Sequence, residues 1–439
     1  MRPFFITAVH MKKQLLFALS SFFIISFSVQ SADLSNLILK TISQHPDVMV
    51  EKAKLVVAET ERDIALYQYY PTVSVSLENA AITSQRDTNF DGDNNVATLR
   101  VQQPLWTFGR LDAGYEKSEA NVESQIRSID ETQLQLAQTV VQVWGEWFAA
   151  ELRKEALQKS IDTHGKLRES VSRRAAQGAS SPSEVRLTEA RLAQIDAQYL
   201  NAQLQLDAAR VKLEQLVGEP LPEGSSPQQA LPAVELNVAY LTDNALKISP
   251  ILQRFEAELR RSKAEIKERF ASIKPEVYLR AEHQRGSYQI DGLPFSNRIF
   301  IGMESNFGAG LSASRQVALA TAQSKTVEAE MKVVERQIQE RVRLEITQLS
   351  LLEARERALQ MSLKANNDIA EAFNRQYLAG RRSWVEVMNT ARELAQAELE
   401  LADLKAAKVL SNWRLSLLAK GLDTTLSVTQ QDNLTIKNY

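Results

Sequence analysis

Apolar and polar residues alternate in four segments of the chain. In the first segment, Val73, Val75 and Leu77 fall on one face, and Ser74 and Ser76 fall on the other. Such alternation predicts β-strands with one apolar face. The four segments are Pro71–Thr83, Asn95–Thr107, Pro275–His283 and Asn297–Phe307. About ten residues is the length that a tilted strand needs to cross the hydrocarbon of a bilayer, although a water-soluble sheet with one wet face gives the same alternation.

The second pattern is helical and unusually long. Residues Arg110–Gln177 contain no Pro, and Leu311–Ala379 contain neither Gly nor Pro. At 1.5 Å per residue, each helix would extend about 100 Å. After the first of these segments, apolar residues follow one another in alternating steps of three and four, at Leu192, Ile195, Tyr199, Ala202, Leu206, Ala209, Leu213 and Leu216. This spacing predicts helices that coil around one another.

These elements occur twice along the chain. Pro46 and Pro250 begin helical stretches that lie 204 residues apart, and the first and third strands start at the same offset. Gly178 and Gly380, which follow the long helices, lie 202 residues apart. Each copy is predicted to contain a short helix, two strands around a polar loop, a very long helix, a tight turn and a final helix. The repeats span residues 33–218 and 246–421, with a connector at 219–245 and a tail at 422–439.

Four strands in one chain leave two open edges, and lipid does not tolerate open edges. If the strands cross a membrane, several chains must therefore close one barrel together. A periplasmic coiled-coil rod would explain the helices. It would not explain the strands, the repeat and a secretion signal together.

The N-terminus and the composition narrow the class of protein. Residues 1–32 have the basic start, apolar core and small-residue end of a secretory signal, with cleavage expected after Ser31 or Ala32. Met11 opens a complete signal by itself, and an uncleaved anchor is the alternative, for which the apolar run is short. The 439 residues include no Cys, which excludes disulfides and acylation at a cysteine. A net charge of -2 gives no support to nucleic-acid binding.

Residues that could support catalysis or metal binding are sparse. Four histidines are scattered along the chain, at His10, His45, His164 and His283. Asp87, Asp91 and Asp93 lie close together, but their spacing misses the EF-hand pattern, and a polar loop is the favoured interpretation. We therefore predict no catalytic residue, no metal site, no cofactor and no enzymatic activity.

With the repeat laid out, the chain resembles the TolC family of outer-membrane efflux and secretion ducts. The resemblance rests on the duplicated order of elements, on the junction Gln103–Gly109 (Gln-Pro-Leu-Trp-Thr-Phe-Gly) and on the turns at Gly178 and Gly380. It implies a mainly α-helical homotrimer, in which long hairpins form a tunnel and four strands per chain contribute to a shared twelve-stranded barrel. It also implies an outer-membrane location in contact with lipid, with helices in the periplasm. The implied partners are a periplasmic adaptor and an ATP-driven inner-membrane exporter.

The resemblance further implies roles for residues near the two turns. Glu386 and Asn389 would form the constriction of the tunnel, and Glu184 would be their counterpart in the first repeat. Tyr377 and Arg382 would form a latch that holds the tunnel closed. Adaptor contacts would fall at Gly178, Ala179, Ser180, Ser181, Gly380, Arg381 and Arg382. Asn389 stands where the family has an acid, so a full double ring of acids is not expected.

The expected function is the exit duct of a tripartite export system, opened at its periplasmic end by the adaptor. Many ducts of this family that serve drug pumps are acylated, so the missing cysteine favours type I protein secretion. The Leu105–Arg110 segment resembles family members that serve surface adhesins, which favours the export of an adhesin. A multidrug efflux duct is the alternative for the cargo. A periplasmic structural coiled-coil protein is the alternative from a different class.

Overall fold

The computed structural model describes residues 33–79, 92–222, 225–227, 232, 236–288 and 295–427, so the predicted signal at 1–32 lies outside the described residues. The helices are α1 (Leu34–Gln44), α2 (Pro46–Tyr67), α3 (Arg110–Ala176), α4 (Pro182–Val217), α5 (Val238–Ile248), α6 (Pro250–Ala271), α7 (Ala313–Leu378) and α8 (Trp384–Lys420). The strands are β1 (Thr72–Asn79), β2 (Asn95–Trp106), β3 (Glu276–Arg285) and β4 (Ser296–Glu304). The mainly helical chain with four strands is as predicted.

The four strands form one antiparallel sheet in the order β1-β2-β3-β4. The register pairs apolar residues with apolar ones, such as Val75 with Leu99 and Leu279 with Ile301. This apolar face is bare, since Val75 and Ile301 each expose 77% of their surface. Among the described residues, the outer edges of β1 and β4 pair with no other strand. The sheet of one chain is therefore a segment with two open edges, and residues 80–83 of the first predicted strand lie outside the described residues.

The long helices α3 and α7 have 67 and 66 residues. Each is therefore about 100 Å long. Helix α7 begins two residues later than predicted, at Ala313, because a 3-10 turn at Ala309–Leu311 precedes it, with Gly310 at a φ of 61°. In the described part of the chain, no helix combines the length and the apolar character needed to span a bilayer.

The heptad pattern predicted in α4 corresponds to its packed side. The eight residues of this pattern, from Leu192 to Leu216, form the seam of the helix, and all of them are buried or half-buried. Two of them are small: Ala202 and Ala209 expose only 4% and 3% of their surface. Small side chains at a seam allow helices to approach closely, so α4 packs tightly against its neighbours. The heptad positions are therefore the side on which α4 packs.

The largest core of the described residues lies near the middle of α3. Trp144 and Trp147 of α3 and Trp413 of α8 are buried there. At Gly145 the two helices are close enough that an added Cβ would lie 3.1 Å from a methyl carbon of Leu410. Helix α1 packs on this core, and α5 packs on a second core with α6, α7 and α8. Each repeat thus adds one short helix to the region that joins the hairpins.

The short helices α1 and α5 correct the predicted repeat boundaries. Both have 11 residues, and their first residues, Leu34 and Val238, lie 204 residues apart. The predicted connector at 219–245 is therefore too long, because α5 starts inside it. A helix of three turns beside a Pro-rich and Gly-rich segment offers too few periods for its pattern to stand out. The predicted tail is described as far as residue 427, and there Thr425 donates a hydrogen bond to the carbonyl of Gly421.

Candidate functional site

The candidate site lies at the free ends of the helical hairpins, residues 173–186 and 375–386, which we call the hairpin ends. Gly178 and Gly380 occupy the turns with φ of 73° and 71°, a conformation that favours glycine. In each turn, the residue after the glycine donates its backbone N–H to the carbonyl five residues earlier, at 2.8 Å. The two turns are therefore near copies of one another.

A capping box starts the helix after each turn. The backbone N–H of Ser181 donates to Glu184 at 3.3 Å, and that of Ser383 donates to Glu386 at 3.1 Å, while both serine side chains cap the helix in return. These reciprocal bonds satisfy N–H groups that a helix start leaves free. Hydrogen bonds from the backbone and hydroxyl of Ser383, and then from Arg382, lower the pKa of Glu386. Both glutamates predicted for the constriction thus also stabilise their helices.

Tyr377 joins the two hairpins. Its ring is buried, and its Oη lies 2.6 Å from Oγ of Ser180 and donates to Oε2 of Glu184 at 3.2 Å. The guanidinium of Arg174 lies 5.0 Å from the ring centroid and donates to the carbonyl of Leu378 at 3.3 Å. Both sets of contacts cross from one hairpin to the other, which is the arrangement expected of a latch.

Arg382, the other predicted latch residue, contacts only its own hairpin among the described residues. It donates to Gln376 at 3.0 Å and to Glu386 at 2.5 Å, and its guanidinium lies 4.2 Å from the ring centroid of Phe373. Among the described residues, no hydrogen bond or ring contact joins Tyr377 to Arg382. At the hairpin ends, the hydrogen bonds of Tyr377 and Arg174 cross between the hairpins, whereas those of Arg382 do not.

The charge of the hairpin ends differs from the acidic ring that the family resemblance implies. Each end carries three Arg and one Glu. Asn389 is exposed on α8, three residues beyond Glu386, and adds no charge. Glu386 and Asn389 thus lie on one helix, and Glu386 lies in a segment with three arginines.

Trp384 is a residue of this site that the sequence did not reveal. It is the first residue of α8 and is fully buried, with its ring centroid 4.6 Å from that of Tyr377. Its indole N–H donates to Oγ1 of Thr188 on α4 at 2.8 Å, and Thr188 donates to the carbonyl of Glu184 at 2.8 Å. An aromatic residue directly after a helix cap was the available signal, but exposure is the usual expectation for a residue next to a turn.

Residues that could serve catalysis or metal binding have structural partners instead. Nδ1 of His45 accepts a hydrogen bond from the backbone of Asp47 and caps α2. Burial lowers the pKa of His164, whose Nδ1 lies 2.9 Å from the carbonyl oxygen of Ser160. Nδ1 of His283 lies 2.6 Å from Oδ1 of Asn297. Within the described ranges, no three His, Asp or Glu side chains come together in a group that could hold a metal ion. His10, Asp87 and Asp91 lie outside these ranges.

The fold and the hairpin ends define a class of protein. A four-stranded sheet with a bare apolar face lies at one end of the long helices, and closed turns lie at the other. Such a chain is one protomer of an oligomeric outer-membrane duct, with strands in the membrane and helices outside it. The sequence matches the family model described as "Outer membrane efflux protein" over residues 37–219 and 241–419, and the chain belongs to this family.

Known relatives are similar along most of the chain. "Proteases secretion protein PrtF" of Dickeya chrysanthemi is 25% identical over 351 residues, which cover 74% of this chain and 72% of the relative. "Alkaline protease secretion protein AprF" of Pseudomonas aeruginosa is 25% identical over 354 residues, which cover 76% and 71%. The outer membrane protein VceC of Vibrio cholerae has a similar fold, with a TM-score of 0.77, 16% identity and coverage of 91% of this chain and 97% of its own.

Fold and family confirm the predicted architecture and location. The chain is a TolC-type channel protomer with a helical tunnel in the periplasm and a barrel in the outer membrane. Channels of this family are trimers that work with periplasmic adaptors and inner-membrane exporters. The protein is therefore a transport duct and not an enzyme. Family membership also excludes the alternative of a periplasmic structural coiled-coil protein.

Proposed function

We propose that this chain is the outer-membrane exit duct of a type I protein secretion system. The observation that carries the proposal is that PrtF and AprF are both named as secretion proteins for proteases. They align with 74% and 76% of this chain, so the similarity includes both repeats. A helical tunnel about 100 Å long suits a polypeptide cargo, because it keeps an unfolded chain enclosed along the way out.

For the cargo we propose a surface adhesin. The support is the Leu105–Arg110 segment together with the absence of cysteine from the sequence. The same segment also has a structural role. The rings of Trp106 and Phe108 meet edge to face at 5.9 Å, and Gly109 is the N-cap of α3 at a φ of 84°. The alternative cargo is a set of small toxic molecules, which the word efflux in the family description allows.

As partners we propose a periplasmic adaptor and an ATP-driven inner-membrane exporter. The adaptor would contact the exposed turns at Gly178–Ser181 and Gly380–Arg382. The bonds of Tyr377 to Ser180 and Glu184 would hold the hairpins together in the closed duct. Adaptor binding would then favour a state in which the hairpin ends have separated, since a ligand shifts the equilibrium toward the state that it binds more tightly.

Chemical cross-linking that blocks the duct tests the proposed function. Because the chain has no Cys of its own, Ser180→Cys and Tyr377→Cys would be the only thiols, and a short bifunctional thiol reagent would tie the hairpin ends together. In a strain that lacks the native gene, cross-linking should stop the appearance of the adhesin on the cell surface. Quantitative mass spectrometry of surface proteins measures this, with inhibitory concentrations of toxic compounds measured in parallel.

The two single-cysteine variants, treated with the same reagent, are the matched controls and should continue to export. Loss of drug resistance with normal surface proteins would contradict the secretion proposal and favour multidrug efflux. Loss of secreted enzymes without a change in adhesin would retain type I secretion and refute the adhesin as cargo.

A further inference from the structure

The two faces of the membrane sheet differ in chemistry. One face is apolar and bare, as Val75 and Ile301 illustrate. The opposite face carries Arg100, Arg280 and Arg298 on β2, β3 and β4. In a membrane barrel the apolar face lies against lipid and the polar face lines the lumen. The three arginines therefore belong to the lumen.

The strand register places these arginines in one band. Arg100 lies opposite Glu282, and Glu282 lies opposite Arg298. Arg280 precedes Glu282 by two residues, so it points to the same face one position along the strand. Each chain thus contributes three arginines and one glutamate to this band, which we call the arginine band.

Glu282 cannot neutralise all three arginines. Its Oε1 accepts a hydrogen bond from Nε of Arg100 at 2.7 Å and lies 3.6 Å from Nη1 of Arg280. The guanidinium of Arg280 also donates to the hydroxyl of Tyr278 and lies 4.7 Å from the centroid of that ring. Among the described residues, Arg298 has no ion pair, although it lies opposite Glu282. The band keeps an excess of two positive charges per chain.

Other acidic residues of the same face lie at its ends. Glu78 is next to the hairpin loops and accepts a hydrogen bond from Tyr288 at 3.3 Å. Glu276 and Glu304 lie opposite one another beside the long helices, and Glu276 pairs with Arg110 at 2.7 Å. The middle of the lumen face is therefore positive, with acids above and below it.

We propose that the arginine band makes the barrel of this duct selective for anions. In the trimer the band occurs three times around one lumen, so the excess charges act together. Walls of low dielectric focus such a field and raise the local concentration of counter-ions. The field reaches about 8 Å at physiological ionic strength, far enough to act inside the lumen, and less at high salt. The proposal concerns the barrel alone and does not depend on the identity of the cargo.

Reversal potentials in planar bilayers test the proposal, with the full-length trimer in a gradient of KCl. The wild type should favour chloride over potassium. Arg298→Gln should lower the ratio of chloride to potassium permeability several-fold, because it removes the arginine that has no ion pair and leaves Glu282 bound to Arg100. Arg298→Lys keeps the charge and should keep the ratio. A higher salt concentration should weaken the preference of the wild type.

Arg285→Gln is the matched control, because Arg285 ends β3 on the opposite face and its loss should leave the ratio unchanged. All variants share the same arginines at the hairpin ends, so a difference between them comes from the barrel. Migration of the unheated trimer on gels verifies the assembly of each variant. A wild type that prefers potassium, an unchanged ratio in Arg298→Gln, or an equal loss in Arg298→Lys would each overturn the proposal.

Discussion

At the scale of single residues, the two hairpin ends use equivalent carboxylates in different ways. Oε2 of Glu184 accepts both the backbone N–H of Ser181 at 3.3 Å and the hydroxyl of Tyr377 at 3.2 Å. Glu386 caps its own helix in the same way, but its other oxygen binds Arg382. Both repeats therefore have the same helix cap. The other contact of Glu184, with Tyr377, joins the two hairpins, whereas the other contact of Glu386, with Arg382, lies within one hairpin.

Tyr377→Phe combined with Trp384→Phe tests which bonds keep the hairpin ends together. The double substitution removes the hydroxyl and the indole N–H that cross between the hairpins, and it keeps an aromatic ring at each position. A hydrogen bond to a carboxylate contributes roughly 1.5–3 kcal/mol and a neutral one roughly 0.5–1.5 kcal/mol, so losing both should favour the open state by about 2–4.5 kcal/mol. Single-channel conductance in planar bilayers should rise.

Arg382→Ser serves as the comparison for this experiment. Its hydrogen bonds to Gln376 and Glu386 lie within one hairpin, so its loss should raise the conductance less than the double substitution does. A larger rise with Arg382→Ser would show that this arginine binds a neighbouring protomer in the trimer. The latch would then lie between chains.

The sequence predicted part of this site, for a physical reason. The turn glycines stand out in the sequence, and the family resemblance points to Tyr377 and Arg382 because they lie close to the second glycine along the chain. The bond from Trp384 to Thr188 joins residues 196 positions apart on different hairpins. Only the packing of the hairpins brings these two side chains together, and no local pattern encodes it.

At the scale of elements, one glycine shapes the membrane sheet. Gly302 on β4 lies opposite Tyr278 on β3, and an added Cβ would lie 2.4 Å from Cζ of the tyrosine. The ring therefore covers the glycine. Its packing there offsets the lack of a side chain at this position of the strand. The same ring holds Arg280. The strand pair and the arginine band thus depend on this contact.

Gly302→Val should displace the ring of Tyr278 and destabilise the trimer. Overpacking of this kind typically costs about 1–3 kcal/mol. The temperature at which the trimer dissociates, followed on gels, should fall relative to the wild type. In the Tyr278→Ser background the valine has room, so Gly302→Val should then cause a smaller fall. An equal fall in both backgrounds would show that the contact with the ring is not the cause.

The elements themselves were largely predictable, because long periodic segments repeat their signal many times. Both long helices and all four strands follow from periodicity, with ends that shift by a few residues. Helix α5 (Val238–Ile248) was missed because three turns repeat the pattern too few times. The 3-10 turn at Ala309–Leu311 depends on the φ of 61° at Gly310, which the sequence permits but does not require.

At the scale of the whole molecule, the sheet is completed by other chains. The strand order leaves β1 and β4 as outer strands, so the edges of one chain must pair with those of its neighbours in the trimer. The bare apolar face then lies against lipid. The sequence predicted the need for partners through the open edges, whereas the number of chains came only from the family.

Adjacent residues of β1 test which face meets the lipid. Val75→Arg would place a charge against hydrocarbon at a cost of about 2–4 kcal/mol near the middle of the membrane. Ser76→Arg would place the same charge on the polar face, where water solvates it. The yield of trimer in outer-membrane fractions should fall for Val75→Arg and stay near the wild type for Ser76→Arg. The reverse order would show that the sheet is turned the other way.

The close packing at Gly145 has a mechanical consequence. From Trp144 to the end of α3 at Ala176, the helix extends roughly 50 Å without interruption. If the tryptophan core acts as a fulcrum, this arm is a lever: a tilt of about 5° at the core moves the far end by about 4 Å. A displacement of that size is enough to break hydrogen bonds such as those of Tyr377. The duct can therefore widen at its far end while the contact of Gly145 with Leu410 hardly changes.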